Sequence, residues 1–205
     1  MTVNAFVATF AAFTIFGGNV IGEVSKSYNT LSKQGFEVCV MDVRATTYHK
    51  TEPNADRETR RGNSSMGLPL REVGPKSVGS IAVDPKVIPY GSLVIITTKR
   101  GDASCFLCVD TGSAVKSRKA SIALAKKQKL GKEMAGRPVI DIYSTKNYDE
   151  WMSVVVIKDN SLRGLEGSEL KSRLKERMSV DFWPHSKEVV SKALALREAN
   201  FLAER

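Results

Sequence analysis

Two aspartates stand where a folded chain can put a carboxylate to chemical use. Asp110 follows directly on the apolar run Cys105-Phe106-Leu107-Cys108-Val109 and precedes Thr111-Gly112. The run reads as a strand, and the glycine lets the backbone turn sharply behind it, so the acid sits at a strand end beside a turn. Asp141 stands alone among apolar neighbours in Val139-Ile140-Asp141-Ile142-Tyr143. In an alternating strand it lies on the face opposite Ile140 and Ile142, where a barrel can present it to a groove. A purely structural acid at that place needs a buried partner. Three readings compete for Asp110-Thr111-Gly112: a catalytic carboxylate, the Asp-Thr-Gly of an aspartic peptidase of retroviral type, and an Asp that bonds its own turn. A further acid, Asp84, precedes Pro85, and Asp-Pro commonly starts a turn. His49 and His185 are the only histidines and neither has ligand neighbours, so neither a metal site nor a cofactor is expected.

The elements that must position these acids are mostly strands. Phe36 to Tyr48 is dense in β-formers. A polar loop with Pro53, Asn54 and Gly62 as breakers follows from His49 to Ser65, and is either a functional lid or a solvated insertion. Val78 to Pro85, Val87 to Ser92 and the strand Leu93 to Thr98 form a dense block, Lys99-Arg100-Gly101-Asp102 turns, and Ala103 to Val109 leads into Asp110. Strands also cover Val139 to Tyr143 and Trp151 to Ile157. Short strands separated by Gly and Pro turns predict a mainly β protein, a small closed barrel. Between the two acids, Lys119 to Lys132 loses the β character and reads as one short basic helix ended by Gly136-Arg137-Pro138. Beyond Leu162, Leu165, Leu170, Leu174 and Met178 form an apolar helical stripe, and a second helix after Pro184 carries Val190, Leu194 and Phe201. Both are expected to pack on the barrel or on each other.

A chain of 205 residues, 42% hydrophobic and 26% charged, suits one globular domain with appendages. Its net charge of +9 points to an anionic partner: nucleic acid, lipid headgroups or an acidic polysaccharide. Between Lys116 and Arg137 there are eight Lys or Arg and one acid, Glu133, so one local patch carries +7 of that excess. Residues 1–22 include an uncharged apolar run from Ala5 to Gly22 that fits a secretory signal peptide, with an uncleaved anchor as the alternative. Export would place the protein outside the cell or in the periplasm. Cys105 and Cys108 have metal-motif spacing, yet in a strand they point to opposite faces and cannot share a metal. They read as small buried hydrophobes, with a disulfide from Cys39 to one of them left open.

Taken in order, Ala45-Thr46-Thr47-Tyr48, Gly79-Ser80-Ile81-Ala82-Val83-Asp84-Pro85, Val87-Ile88-Pro89-Tyr90-Gly91-Ser92, Val109-Asp110-Thr111-Gly112-Ser113-Ala114-Val115-Lys116, Ile140-Asp141-Ile142-Tyr143 and Trp151 resemble a known family. It is the three-aspartate (3D) domain, a six-stranded double-psi β-barrel shared with membrane-bound lytic transglycosylase A and small secreted peptidoglycan lyases. The resemblance runs from about Val43 to Ile157, within a domain bounded at 36–158, and leaves 162–205 as a helical appendage. It implies that Asp84, Asp110 and Asp141 are the three acids that name the domain, with the equivalent of Asp141 catalytic. The reaction implied is cleavage of the β-1,4 bond between N-acetylmuramic acid and N-acetylglucosamine without water, leaving a 1,6-anhydro end. One carboxylic acid then serves twice, first protonating the glycosidic oxygen and then accepting the proton of the sugar's own C6 hydroxyl. On this reading Asp110 tunes Asp141, Asp84 supports, and Tyr48, Thr111 and Lys116 bind sugar hydroxyls or carboxylates. The expected partner is peptidoglycan or another anionic wall polysaccharide and not nucleic acid, with peripheral or N-terminal membrane association besides. No oligomeric state follows.

Two departures bear on this expectation. The usual pattern brings the second acid much sooner after Asp-Thr-Gly, whereas 31 residues separate Asp110 from Asp141 here, and the excess is the basic segment. Ser113 also replaces the usual second glycine. An insertion at the groove rim either adds charge that holds the polymer or distorts the site, leaving a wall-polysaccharide binding module without activity. The peptidase reading leaves Ala82 to Ser92 and Ile140 to Tyr143 unexplained.

Overall fold

Thirteen consecutive residues rich in Val, Thr and Tyr build the longest strand, β1 (Phe36–Tyr48), and its length lets it serve two partners. Phe36 to Ala45 run antiparallel to β6 (Glu150–Asp159), and Arg44 to Tyr48 run parallel to β5 (Val139–Tyr143). With β2 (Gly79–Ala82), β3 (Leu93–Thr97) and β4 (Ala103–Asp110), these strands close into one barrel in the order β1-β5-β2-β4-β3-β6. The pairs β1·β5 and β2·β4 are parallel and the other four antiparallel. Closure leaves no unpaired strand edge, which is how a small β domain avoids adding further strands. This computed structural model describes residues 35–74, 77–97 and 103–179. The expectations for residues 1–22, for the turn at 99–102 and for a helix after Pro184 lie outside those residues.

Alternation along each strand sorts side chains into an inside and two outer faces. Val43, Ile81, Phe106, Cys108, Ile140 and Ile142 fill the interior, fully removed from solvent. Each such aliphatic side chain contributes about 1.5–3 kcal/mol by leaving water. One outer face, with Leu93, Ile95, Val155 and Ile157, is covered by Leu170, Leu174 and Met178 at the end of the helix Gly167–Arg177. The apolar stripe in the appendage thus packs on the barrel. Gly91 permits the contact: at φ 77° it adopts a backbone that favours glycine, and a Cβ there would sit 2.0 Å from Leu162 Cδ1. Arg177, the buried last residue of this helix, donates to Asp159 Oδ2 at 2.6 Å.

The other outer face, over β1, β2 and β5, is covered by the basic insertion. The helix predicted over Lys119 to Lys132 starts where expected but ends at Lys127, and a separate turn of helix begins at Lys132. With the earlier α1 (Arg57–Arg60), the helices here are α2 (Ser113–Ser117), α3 (Lys119–Lys127) and α4 (Lys132–Ala135). Arg118 and Lys129 adopt left-handed backbones between them, with φ 52° and 54°, and neither conformation can continue a right-handed helix. Val115 and Ala120 pack against Ala82, Val139 and Tyr48. Cys105 and Cys108 do face opposite sides of β4, and all three cysteines are free thiols, so no disulfide ties Cys39 to either.

Candidate active site

Register brings the two acids together. β2 lies between β5 and β4, and its residue Ala82 is opposite Asp141 on one side and Asp110 on the other. The β2·β4 ladder steps regularly up to Ile81 opposite Cys108 and then shifts by one residue. Without that bulge Ala82 would face Val109; with it, the carboxylate at the strand end takes the place, a common use of bulges beside functional sites. Thr46, on the far side of β5, is opposite Asp141 as well. Four strand positions thus line up across the end of the barrel as Thr46, Asp141, Ala82 and Asp110.

Each carboxylate has its own surroundings. Asp110 is 5% exposed and accepts three hydrogen bonds: from the Tyr48 hydroxyl at 2.8 Å, from Ser65 N at 2.7 Å and from Thr111 N at 2.9 Å. Two of the donors are backbone amides, so Asp110 is a fixed group. Asp141 is half-buried and accepts one side-chain bond, from Thr46 Oγ1 at 2.7 Å. Burial pushes its carboxyl up from the usual 3.8 to about 6. The Thr46 bond works against that rise, and the negative charges of Glu52 and Asp110 add to it. Burial and the neighbouring Asp110 charge also raise Tyr48, which keeps its phenol protonated and able to donate.

The loop after β1 packs beside these acids. The His49 ring stacks on Tyr143 with centroids 5.2 Å apart, and Tyr143 meets Tyr48 edge to face at 5.4 Å. Within the loop, Asp56 caps α1 by accepting from Thr59 N at 2.7 Å, and the chain returns so that Ser65 N reaches Asp110. Glu52, on the same loop, is close enough for its charge to act on Asp141.

The remaining expected residues take different places. Asp84 bonds its own turn: Oδ1 accepts from Lys86 N at 3.1 Å, and its carbonyl accepts from Val87 N and Ile88 N. Next to it, Val83 N donates to the Asp110 carbonyl at 3.0 Å, so the turn is tied to the strand end that bears the acid. The Thr111 hydroxyl is buried and has no hydrogen-bond partner among the described residues, directly beside Asp110. Lys116 is exposed on α2, and no bond among the described residues links it to either acid. Thr46, Ser65 and Glu52 were not singled out by the sequence pattern. Thr46 lies in a quoted motif, but its role depends on being opposite a residue 95 positions away. No group of three or more His, Cys, Asp and Glu among the described residues is arranged to hold a metal ion.

Residues 79–146 match the family model of the 3D domain. This part of the barrel is a 3D domain. The match spans β2 to the end of β5 and takes in Asp84, Asp110 and Asp141 together with the whole basic insertion. The strands β1 and β6 that complete the barrel fall outside the matched segment. No match to the chain emerged among the curated proteins or among the solved structures.

Proposed function

We propose that this 3D domain is a peptidoglycan lyase of the lytic transglycosylase kind, with Asp141 as its general acid and then its base. The observation that carries the reading is the unequal pair of acids. Asp110 is a buried acceptor fixed by three donors, while Asp141 has a carboxyl raised to about 6. Two titratable groups whose surroundings differ in this way divide their labour. A carboxylic acid poised near 6 retains its proton in a useful fraction of molecules and can give it to a glycosidic oxygen. The bond to the leaving sugar breaks, and the Asp141 carboxylate accepts the C6 hydroxyl proton as that oxygen attacks the anomeric carbon. Atoms balance without water, and Asp141 ends protonated as it began.

Asp110 supplies a fixed negative charge beside the oxocarbenium-like centre. Thr46 orients Asp141, and Tyr48 orients Asp110. Asp84 supports the arrangement through its turn. Lys116, exposed on α2, suits the carboxylates of the peptide stems. Such a substrate places the protein in the cell envelope, secreted or periplasmic.

Digestion of purified peptidoglycan, followed by mass spectrometry of the released fragments, tests the reading. Anhydro-muropeptides produced by the parent chain and absent with Asp141→Asn support it. Pelleting with the wall but releasing nothing identifies a binding module, and cleaved peptide bonds identify a peptidase.

A further inference from the structure

The basic insertion concentrates more than charge. Ile122 is 51% and Leu130 41% exposed, and these are the exposed large hydrophobic side chains among the described residues. Both lie in the segment that holds +7 of the net charge. In α3, Ser121 and Ala125 face the protein. With about 3.6 residues per turn, Lys119, Ile122, Ala123 and Lys126 fall on the outward side. Lys116, Lys119, Lys126, Lys127, Lys129 and Lys132 are all exposed, and none of them forms an ion pair among the described residues. The two arginines are engaged within the protein, Arg137 with Asp42 at 3.4 Å and Arg118 Nη1 with the Gly136 carbonyl at 2.9 Å.

This arrangement discriminates between anionic partners. A hydrated polysaccharide offers carboxylates to lysines but no continuous apolar phase to an exposed isoleucine and leucine. An anionic bilayer meets both, because its headgroups attract the ammonium groups while aliphatic side chains enter the boundary with the acyl chains. We propose that α3 and the turn after it form a peripheral docking surface for an anionic lipid bilayer.

The surface is anchored to the barrel. Trp151 Nε1 donates to Gln128 Oε1 at 3.0 Å, the buried Ser121 hydroxyl donates to the Met134 carbonyl at 2.9 Å, and Val115 packs against Ala82 between the two acids. Docking through α3 therefore fixes the acid-bearing face relative to the bilayer. The inference does not depend on lyase activity.

Full-length protein mixed with vesicles of phosphatidylcholine alone, or rich in phosphatidylglycerol, provides the test. Ile122→Trp gives a reporter local to the insertion, so binding through any other part of the chain is not mistaken for it. The expected result is quenching of that added indole by brominated phosphatidylglycerol, little quenching on neutral vesicles, and at least about tenfold weaker binding to anionic vesicles for Lys126→Glu/Lys129→Glu. Ile122→Ser/Leu130→Ser is expected to weaken vesicle binding several-fold and leave binding to isolated peptidoglycan unchanged. The proposal is overturned if the parent chain ignores anionic vesicles, or if the indole stays unquenched on them. Lysine changes that reduce binding to peptidoglycan but not to vesicles overturn it equally, and make the patch a polysaccharide site.

Discussion

Tyr48 donates its phenol hydrogen to Asp110 at 2.8 Å, joining the ends of β1 and β4, which are not neighbours in the barrel. The bond ties the aromatic row of His49, Tyr143 and Tyr48 to the acid. Tyr48→Phe keeps the ring against Val115 and Ala120 but leaves Oδ2 of a buried carboxylate short of a donor. The expected cost is about 1–3 kcal/mol of stability, read from urea denaturation. Glycan cleavage should fall as well, because Asp110 is then held by the two backbone amides alone.

Asp141 makes the folded state bind protons more tightly than the unfolded chain, since its carboxyl rises from 3.8 to about 6. The sign is therefore opposite to that of a salt-bridged acid. Between these two values the folded protein holds the extra proton, and stability falls as pH rises through that window. Asp141→Asn removes the penalty. It should be more stable than the parent above pH 6, by up to about 3 kcal/mol and so with a higher melting temperature, with the difference vanishing as the pH drops below the unfolded value. Paired thermal melts at acid and at neutral pH check this. Gain of stability together with loss of cleavage would mark Asp141 as a functional group held at a cost to folding.

The pH profile of cleavage can be moved in either direction. The parent rate should decline above about pH 6 as Asp141 loses its proton. The Thr46 bond lowers the carboxyl, so Thr46→Val should carry that alkaline limb to higher pH. Glu52 acts the other way, so Glu52→Gln should carry it to lower pH, with a smaller effect at high salt because Glu52 is exposed. Rate profiles of the two variants against the parent test the assignment; a shared direction of shift would remove Asp141 as the titrating group.

Gly91→Ala tests the union of appendage and barrel. The added methyl would meet Leu162 Cδ1 at 2.0 Å and Leu174 Cδ2 at 3.0 Å, on a backbone at φ 77°. Overpacking and the positive φ together should cost roughly 2–4 kcal/mol in chemical denaturation. Loss of stability without a shifted pH profile is expected, because the added methyl meets Leu162 and Leu174 and not the acids.

Much of this was legible in the residues. β1 covers the stretch that its β-formers predict, and Asp110 ends β4 as its apolar run implies. Parity placed Asp141 opposite Ile140 and Ile142, and the barrel buries both isoleucines while the acid faces outward toward Thr46. What local pattern could not carry is register. The one-residue shift that sets Asp110 opposite Ala82, and the amide of Ser65 that arrives 45 positions upstream, come from long-range pairing with no local signature. The helix of the basic insertion starts at Lys119 as its spacing predicts but stops at Lys127 instead of Lys132, because the chain turns at Lys129 with φ 54°.

The account's central claim is that Asp141 directs cleavage without water, and digestion of peptidoglycan in heavy-oxygen water tests it most directly. The products of the parent chain should be anhydro-muropeptides carrying none of the solvent label, and Asp141→Asn should yield none. Released muropeptides with a labelled reducing end would show that water attacks the anomeric carbon, and would contradict the claim.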